Sequence, residues 1–170
     1  MQSLWNYAVA LYAQPGVQAA CLELQDEHGL DVNLLLFSAW SAAQGPGLLD
    51  IAAIRDCESR VAACRTELIE PLRQLRRACR AGTAGLTSDQ LGSLGEQLLA
   101  AELAAERAEL ELLADWAGDR ARHDAGLDRA AMAASNLVAC LAAGGVSPAT
   151  VAASTKVLLA GAAALEINPV

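Results

Sequence analysis

The spacing of apolar residues predicts a series of α-helices joined by short turns. From Leu4 to Tyr12, apolar positions recur at i, i+3, i+4, i+7 and i+8, the period of one helical face. The next two segments repeat this pattern, with Val17 and Val32 near their starts. Helix-starting and helix-stopping residues bound the three segments, namely Ser3 and Asp31 as N-caps and Pro15-Gly16, Gly29 and Gly45-Pro46-Gly47 as terminators.

The second part of the chain predicts longer helices. From about residue 48 a short helix leads into a long one that reaches Arg80, and Pro71 should kink it because proline lacks an N–H and clashes with the preceding turn. Thr87 or Ser88 caps a helix to about residue 118. Another helix ends at residues 144–145, and the last is predicted to start with Ser147 as cap and Pro148 as first residue and to run to about residue 165.

Composition agrees with a helical fold. The 170 residues include 38 Ala and 28 Leu, which favour helices, but only nine Val and four Ile, which favour strands. Hydrophobic residues make up 54 %, which excludes a disordered chain. We therefore predict an all-α, single-domain bundle of six to seven helices over residues 1–170.

Charge and cysteine content exclude several classes of function. A net charge of −8 repels phosphate backbones, so nucleic-acid binding is not expected. Five cysteines are an odd number and form no C-x-x-C motif, so we expect no disulfides and no zinc site. The N-terminus lacks the pattern of a secretory signal, and Gly and Pro interrupt the two long uncharged stretches. We expect a cytoplasmic protein without a membrane span.

The strongest chemical signal is a row of acidic residues on the helix predicted between Thr87 and about residue 118. On a helical wheel, Glu102, Glu106 and Glu109 fall between two apolar strips, whereas Glu96, Arg107, Glu111 and Asp115 share the solvent face. Buried carboxylates need partners. The preceding helix is predicted to be an antiparallel neighbour, and it offers four basic residues, Arg65, Arg73, Arg76 and Arg80.

This Arg/Glu cluster has three interpretations. It is an ion-pair network that holds two helices in register, or a polar cavity for a small ligand, or a carboxylate metal site. The metal interpretation lacks the Glu-x-x-His spacing of di-iron bundles, so no metal or cofactor is expected. A ligand site predicts a solvent-connected pocket lined by Arg76, Glu102 and Glu106.

A second polar cluster lies between the second and third helices and contains Gln25, Asp26, His28, Asp31 and Asn33. His28 beside Asp26 or Asp31 would suit general acid–base chemistry. The structural alternative is a helix stop near His28, followed by a helix that Asp31 caps. No serine-histidine-aspartate order, phosphate-binding glycine loop or H-E-x-x-H motif accompanies this cluster, so no catalytic residue is assigned.

Roughly the first two-thirds of the chain resemble a known family, most specifically in the N-terminal residues. The residues that carry the likeness are Leu4-Trp5, Tyr7-Ala8, Leu11-Tyr12, Pro15-Gly16-Val17, Cys21-Leu22, Leu24-Gln25-Asp26, His28-Gly29, Asp31 to Phe37, and Trp40. Weaker likeness follows at Pro71-Leu72-Arg73, Leu75-Arg76-Arg77, Glu102-Leu103 and Ala105-Glu106. The chain is similar here to a small proteobacterial family of conserved hypothetical proteins, a domain of unknown function. The resemblance implies a cytoplasmic bacterial protein and offers no catalytic residue or cofactor.

Together these observations favour an interaction protein. We expect an accessory or regulatory module whose partner is another cytoplasmic protein or a second copy, the latter through the Ala-rich last helix. The rival hypothesis is a ligand-binding module or enzyme that uses the Arg/Glu cluster. An interaction protein predicts an exposed apolar patch of several hundred Å².

Overall fold

Each of the first three helices begins or ends at the residue that the sequence predicts. In a computed structural model that describes residues 3–82, 85–120 and 122–167, Ser3 Oγ accepts a hydrogen bond from Asn6 N–H at 3.2 Å. Asp31 Oδ1 accepts from Asn33 N–H at 2.7 Å, and Gly29 ends its helix with φ +68°. The described helices are α1 Leu4–Tyr12, α2 Val17–His28, α3 Val32–Ala43, α4 Ile51–Cys64, α5 Glu70–Ala81, α6 Ser88–Gly118, α7 Arg129–Ala143 and α8 Ala152–Ile167.

The long helix before residue 82 is interrupted by a π-helical turn, Arg65–Ile69, which joins α4 to α5. The N–H of Glu70 bonds to the carbonyl of Arg65, five residues back. Pro71, in the first turn of α5, has no N–H to give to the helix. The irregularity predicted at Pro71 therefore lies one turn earlier, where the wider π geometry accommodates the proline. We call α4, the π turn and α5 together the rod.

The core lies around α3, where every residue from Asn33 to Ala43 is buried. Helix α7 packs along α3, while α1, α2, the rod, α6 and α8 contribute the remaining core side chains. Counted with the rod as one helix, the described residues form seven helices and no strand, which confirms the predicted all-α bundle. Every helix in the described ranges is too short or too polar to span a bilayer.

The start of the last helix differs from the prediction. Pro148 follows Ser147 as expected, but residues 148–151 form turns, and α8 begins at Ala152. Thr150 N–H donates to the carbonyl of Ser147 at 3.0 Å, which closes a four-residue β-turn instead of an α-helical turn. The side chain of Val151 is buried, so the turn itself is part of the core.

Candidate functional site: the charged seam and the helical arm

Four charged side chains meet between the rod and α6, as the wheel analysis predicts. Arg76 Nε and Nη2 donate to the two oxygens of Glu102 at 2.5 and 3.0 Å, a bidentate pair. Arg73 bridges two acids: its Nε donates to Glu102 Oε1 at 3.1 Å and its Nη2 to Glu106 Oε1 at 2.9 Å. Because Glu102 and Glu106 are four residues apart on α6, one guanidinium reaches both.

Burial and the arginines have opposite effects on these carboxyl groups. Burial acts to raise the pKa of Glu102, but hydrogen bonds from Arg76 and Arg73 outweigh it and lower the pKa below its usual value. Glu106 is half-buried, and among the described residues it forms an ion pair with Arg73 alone; partial burial raises its pKa. Glu102 is therefore held as a carboxylate, whereas Glu106 binds a proton more readily than a carboxyl group in water.

The predicted Arg/Glu cluster and the predicted polar cluster between α2 and α3 meet at the π turn. Arg65, in the π turn, forms an ion pair with Asp31, the N-cap of α3. Its Nε also lies 3.6 Å from Glu109 Oε1, and Asn33 Nδ2 donates to Glu109 Oε2 at 2.6 Å. We call these residues, with Arg73, Arg76, Glu102 and Glu106, the charged seam.

Glu109 is the most perturbed acid of the charged seam. It is 1 % exposed, and burial, together with the nearby charge of Asp31, raises its pKa to about 8. Glu109 Oε1 and Asp31 Oδ2 accept no hydrogen bond of normal geometry. Likewise, Nε and Nη2 of Arg65 donate none. Two carboxyl groups thus share one arginine, and Glu109 holds a proton at neutral pH.

The remaining predicted site residues lie outside the charged seam. Arg80 is exposed near the end of α5 and makes no ion pair with any described residue, so its predicted contact with the acidic row is wrong. It lies one turn beyond Arg76, opposite the glycines of α6. Asp26 accepts hydrogen bonds from Gln25 at 3.2 Å and from Arg77 at 3.1 Å. His28 lies beside the exposed acids Glu23 and Glu27, a common surface arrangement.

Neither of the two best-formed pockets of the described residues opens onto the glutamates of the charged seam. A groove of about 480 Å³ lies next to them, lined by residues that include Arg76, Arg80, Gly95 and Leu99, but Glu102 and Glu106 do not line it. The arginines themselves fill the space in front of both carboxylates. Neither of these two pockets matches the one that a ligand site predicts, which would be lined by Arg76, Glu102 and Glu106 together.

Helix α5 and residues 88–105 of α6 form a two-helix hairpin that we call the arm. α5 buries none of its side chains, and among the described helices it packs along α6 alone. In residues 88–105, all of which are described, the single buried side chain is that of Glu102. Leu75 is 55 % exposed and Leu94 is 42 % exposed. The arm thus presents large apolar side chains to solvent.

One side of the arm carries no charge. The positions of side chains around α5 and α6 follow from a rotation of about 100° per residue. One side of the hairpin carries six apolar residues. The opposite side carries Arg73, Arg77, Arg80 and Leu99. We call the uncharged side the arm face: Pro71, Leu75, Ala78, Leu94, Leu98 and Ala101. Five of them are exposed and Leu98 is half-buried.

Sequence reasoning missed the arm face and Asn136. Leu75 belongs to an apolar stripe of the long helix, and periodicity identifies such a stripe but not whether another helix covers it. Asn136 is fully buried in α7, where its Nδ2 donates to Ser38 O and Gly47 O and its Oδ1 accepts from Leu49 N–H at 2.7 Å. A lone asparagine among alanines was the available signal.

The five cysteines are free thiols, as predicted. Burial raises the pKa of Cys21, Cys57 and Cys140 to about 12, so these three are poor nucleophiles. Cys64 and Cys79 are half-buried beside α6. Cys64 Sγ donates to the carbonyl of Ala105 at 3.7 Å.

The fold and the charged seam define an all-α bundle whose rod is joined to α6 by arginine–glutamate pairs. A family described as a protein of unknown function (DUF2390) matches residues 3–113, well over half of the chain. The chain belongs to this family, which confirms the resemblance seen in its N-terminal residues. No curated protein and no solved structure matches it. The charged seam and the arm both lie within the matched residues, whereas α7 and α8 lie outside them.

Proposed function

We propose that this chain is a protein–protein interaction module, with an accessory or regulatory role, and that the arm is its contact surface. The observation that carries the proposal is the exposure of Leu75 and Leu94 on a hairpin that no other described helix covers. Isolated exposed leucines are ordinary, but apolar side chains that form a contiguous face commonly mark an interaction site.

The energetics of the arm support this interpretation. Burying a leucine side chain fully contributes roughly 1.5–3 kcal/mol, so each half-exposed leucine leaves about 1 kcal/mol unrealised in the free chain. In a hairpin of two helices, each helix packs against one neighbour, whereas helices in bundles normally pack against two. A partner that covers the arm would supply the missing layer.

The charged seam gives less support to a ligand-binding module or an enzyme. Both oxygens of Glu102 already accept hydrogen bonds from arginine, and Glu106 binds Arg73. A ligand would have to displace these charge-assisted bonds. The charged seam instead fits a structural role, since it fixes the rod against α6 and thereby sets the orientation of the arm.

We include in the proposal that the contact is made in the cytoplasm, where reducing conditions keep thiols such as that of Cys79 free. A photo-crosslinking phenylalanine analogue at position 75, in cells that produce the full chain, tests the contact. We expect a defined crosslinked band, with no such band from the same analogue at Asp115, an exposed residue on the body of α6. Absence of a specific band at position 75 would refute the proposed function.

A further inference from the structure

We propose that a groove in the arm binds a small amphipathic carboxylate, with the carboxylate group at Arg80 and the apolar chain along α6. The groove has a volume of about 480 Å³ and lies between the last turns of α5 and residues 88–99 of α6. We call it the arm groove. Its volume is within the range of small-molecule sites, roughly 300–1,000 Å³. None of the arm-face residues lines it, so the ligand site and the proposed protein contact are independent of each other.

The charges that line the arm groove favour an anion. Two arginines, Arg76 and Arg80, and one acid, Glu96, line it, although the chain as a whole carries −8. Arg80 forms no ion pair with any described residue. Arg76 donates to Glu102 through Nε and Nη2, which leaves its Nη1 without an acceptor among the described residues. One complete guanidinium group and one further N–H are therefore available for charge-assisted hydrogen bonds to an anion.

The same charges limit the ligand to a single negative charge. Glu96 lines the arm groove with Arg80, and the two form no ion pair with each other. A monoanion balances the charge of Arg80, whereas a dianion such as a phosphate monoester adds repulsion from Glu96 and from the acidic chain. A carboxylate carries one charge, and its two oxygens match the planar fork of a guanidinium group.

The α6 wall of the arm groove is mostly apolar. Leu91 and Leu99 lie eight residues apart on α6, about 12 Å along the helix axis, and an extended ten-carbon chain is about as long. Between them, Gly92 and Gly95 carry no side chain, and no neighbouring described residue lies within 4 Å of a Cβ added at Gly92. Leu99 is 40 % exposed. An alkyl chain along this wall would cover Leu99 and remove apolar surface from water.

Isothermal titration calorimetry of the purified full chain with sodium decanoate at neutral pH tests this inference. We expect one decanoate to bind per chain, with saturation below about 1 mM. Acetate has the carboxylate without the chain, so it should give no measurable heat of binding. The expected pattern thus requires both the charged end and the apolar wall of the arm groove.

Four single variants locate the bound decanoate. Arg80→Gln removes the unpaired guanidinium group and should weaken binding at least about tenfold. Gly92→Leu fills the apolar wall and should abolish binding. Glu96→Gln removes the repelling carboxylate and should strengthen binding about two- to fivefold. Arg77→Gln is the matched control, because Arg77 is an exposed arginine of the same helix that does not line the arm groove, and it should leave binding unchanged.

Three results would overturn the inference: no saturable binding of decanoate, equal weakening in Arg80→Gln and Arg77→Gln, or unchanged binding in Gly92→Leu. Tighter binding of a capped leucine–glutamate peptide than of decanoate would also overturn it, because the occupant would then be a protein. All four positions are exposed, so the variants should keep the helix content of the unmodified chain, which circular dichroism checks. The crosslink from position 75 tests the protein contact separately.

Discussion

Replacing Glu109 by glutamine should remove a pH-dependent loss of stability from the chain. In the folded chain, burial and the charge of Asp31 raise the pKa of Glu109 to about 8, from 4.5 in the unfolded chain. The unfolded chain therefore releases this proton at a lower pH than the folded chain does. The contribution of Glu109 to stability therefore falls as the pH rises between these two values, and this contribution is constant outside them.

The magnitude follows from the pKa difference. A difference of about 3.5 pH units corresponds to at most about 5 kcal/mol of unfolding free energy, at about 1.4 kcal/mol per unit. Glutamine cannot ionise, and its carbonyl oxygen can still accept the hydrogen bond from Asn33. Relative to the unmodified chain, the free energy of unfolding of Glu109→Gln should therefore rise by several kcal/mol between about pH 5 and about pH 8.

Urea unfolding at pH 5, 6.5 and 8 measures this difference directly. The quantity of interest is the free energy of unfolding of Glu109→Gln minus that of the unmodified chain, compared across the three pH values. Glu111→Gln serves as control, because Glu111 is exposed and forms an ion pair with Arg107 alone among the described residues. A difference for Glu109→Gln that stays constant with pH would refute the argument that burial holds a proton on Glu109.

Three further predictions follow from the described contacts. Arg76→Ala leaves Glu102 with Arg73 as its sole partner and should cost about 3 kcal/mol in urea unfolding, whereas changing Arg76 and Glu102 together to methionine should cost much less. Gly47→Ala should lower the melting temperature strongly, because φ is +89° and an added Cβ would lie 2.3 Å from the carbonyl oxygen of His123. Gly92→Ala is its control, since nothing lies within 4 Å of its added Cβ, and it should stabilise α6 by about 0.5–1 kcal/mol. Finally, we propose that residues 1–170 form one domain, so calorimetry should show a single cooperative transition, and two separate transitions would contradict this.

Local sequence signals predicted most of the fold because the residues that bound these helices act over short distances. Thr87 shows this well: its side chain accepts from Gln90 N–H, while the Gln90 side chain accepts from Thr87 N–H, so the helix start is determined within four residues. The start of α8 was misplaced because Ser147-Pro148 suits a β-turn as well as the first turn of a helix.

The charged seam was partly predictable for a related reason. Helical periodicity places Glu102, Glu106 and Glu109 on the inner half of α6, and all three are buried or half-buried. It cannot show which arginine reaches which glutamate, since that depends on how far the two helices are shifted along each other. The ion pair between Asp31 and Arg65 could not be predicted from the sequence either, because it requires α3 to begin beside the π turn.

The π turn makes the direction of the arm depend on one residue. It contains one residue more than an α-helical turn would need, and each residue of an α-helix adds about 100° of rotation. If the turn became α-helical with all of its residues retained, everything after it would rotate by about that angle relative to α4. Leu75 would then turn away from its present position, while the sequence of the arm stayed the same. The hydrogen-bond pattern of this short segment therefore decides which way the leucines point.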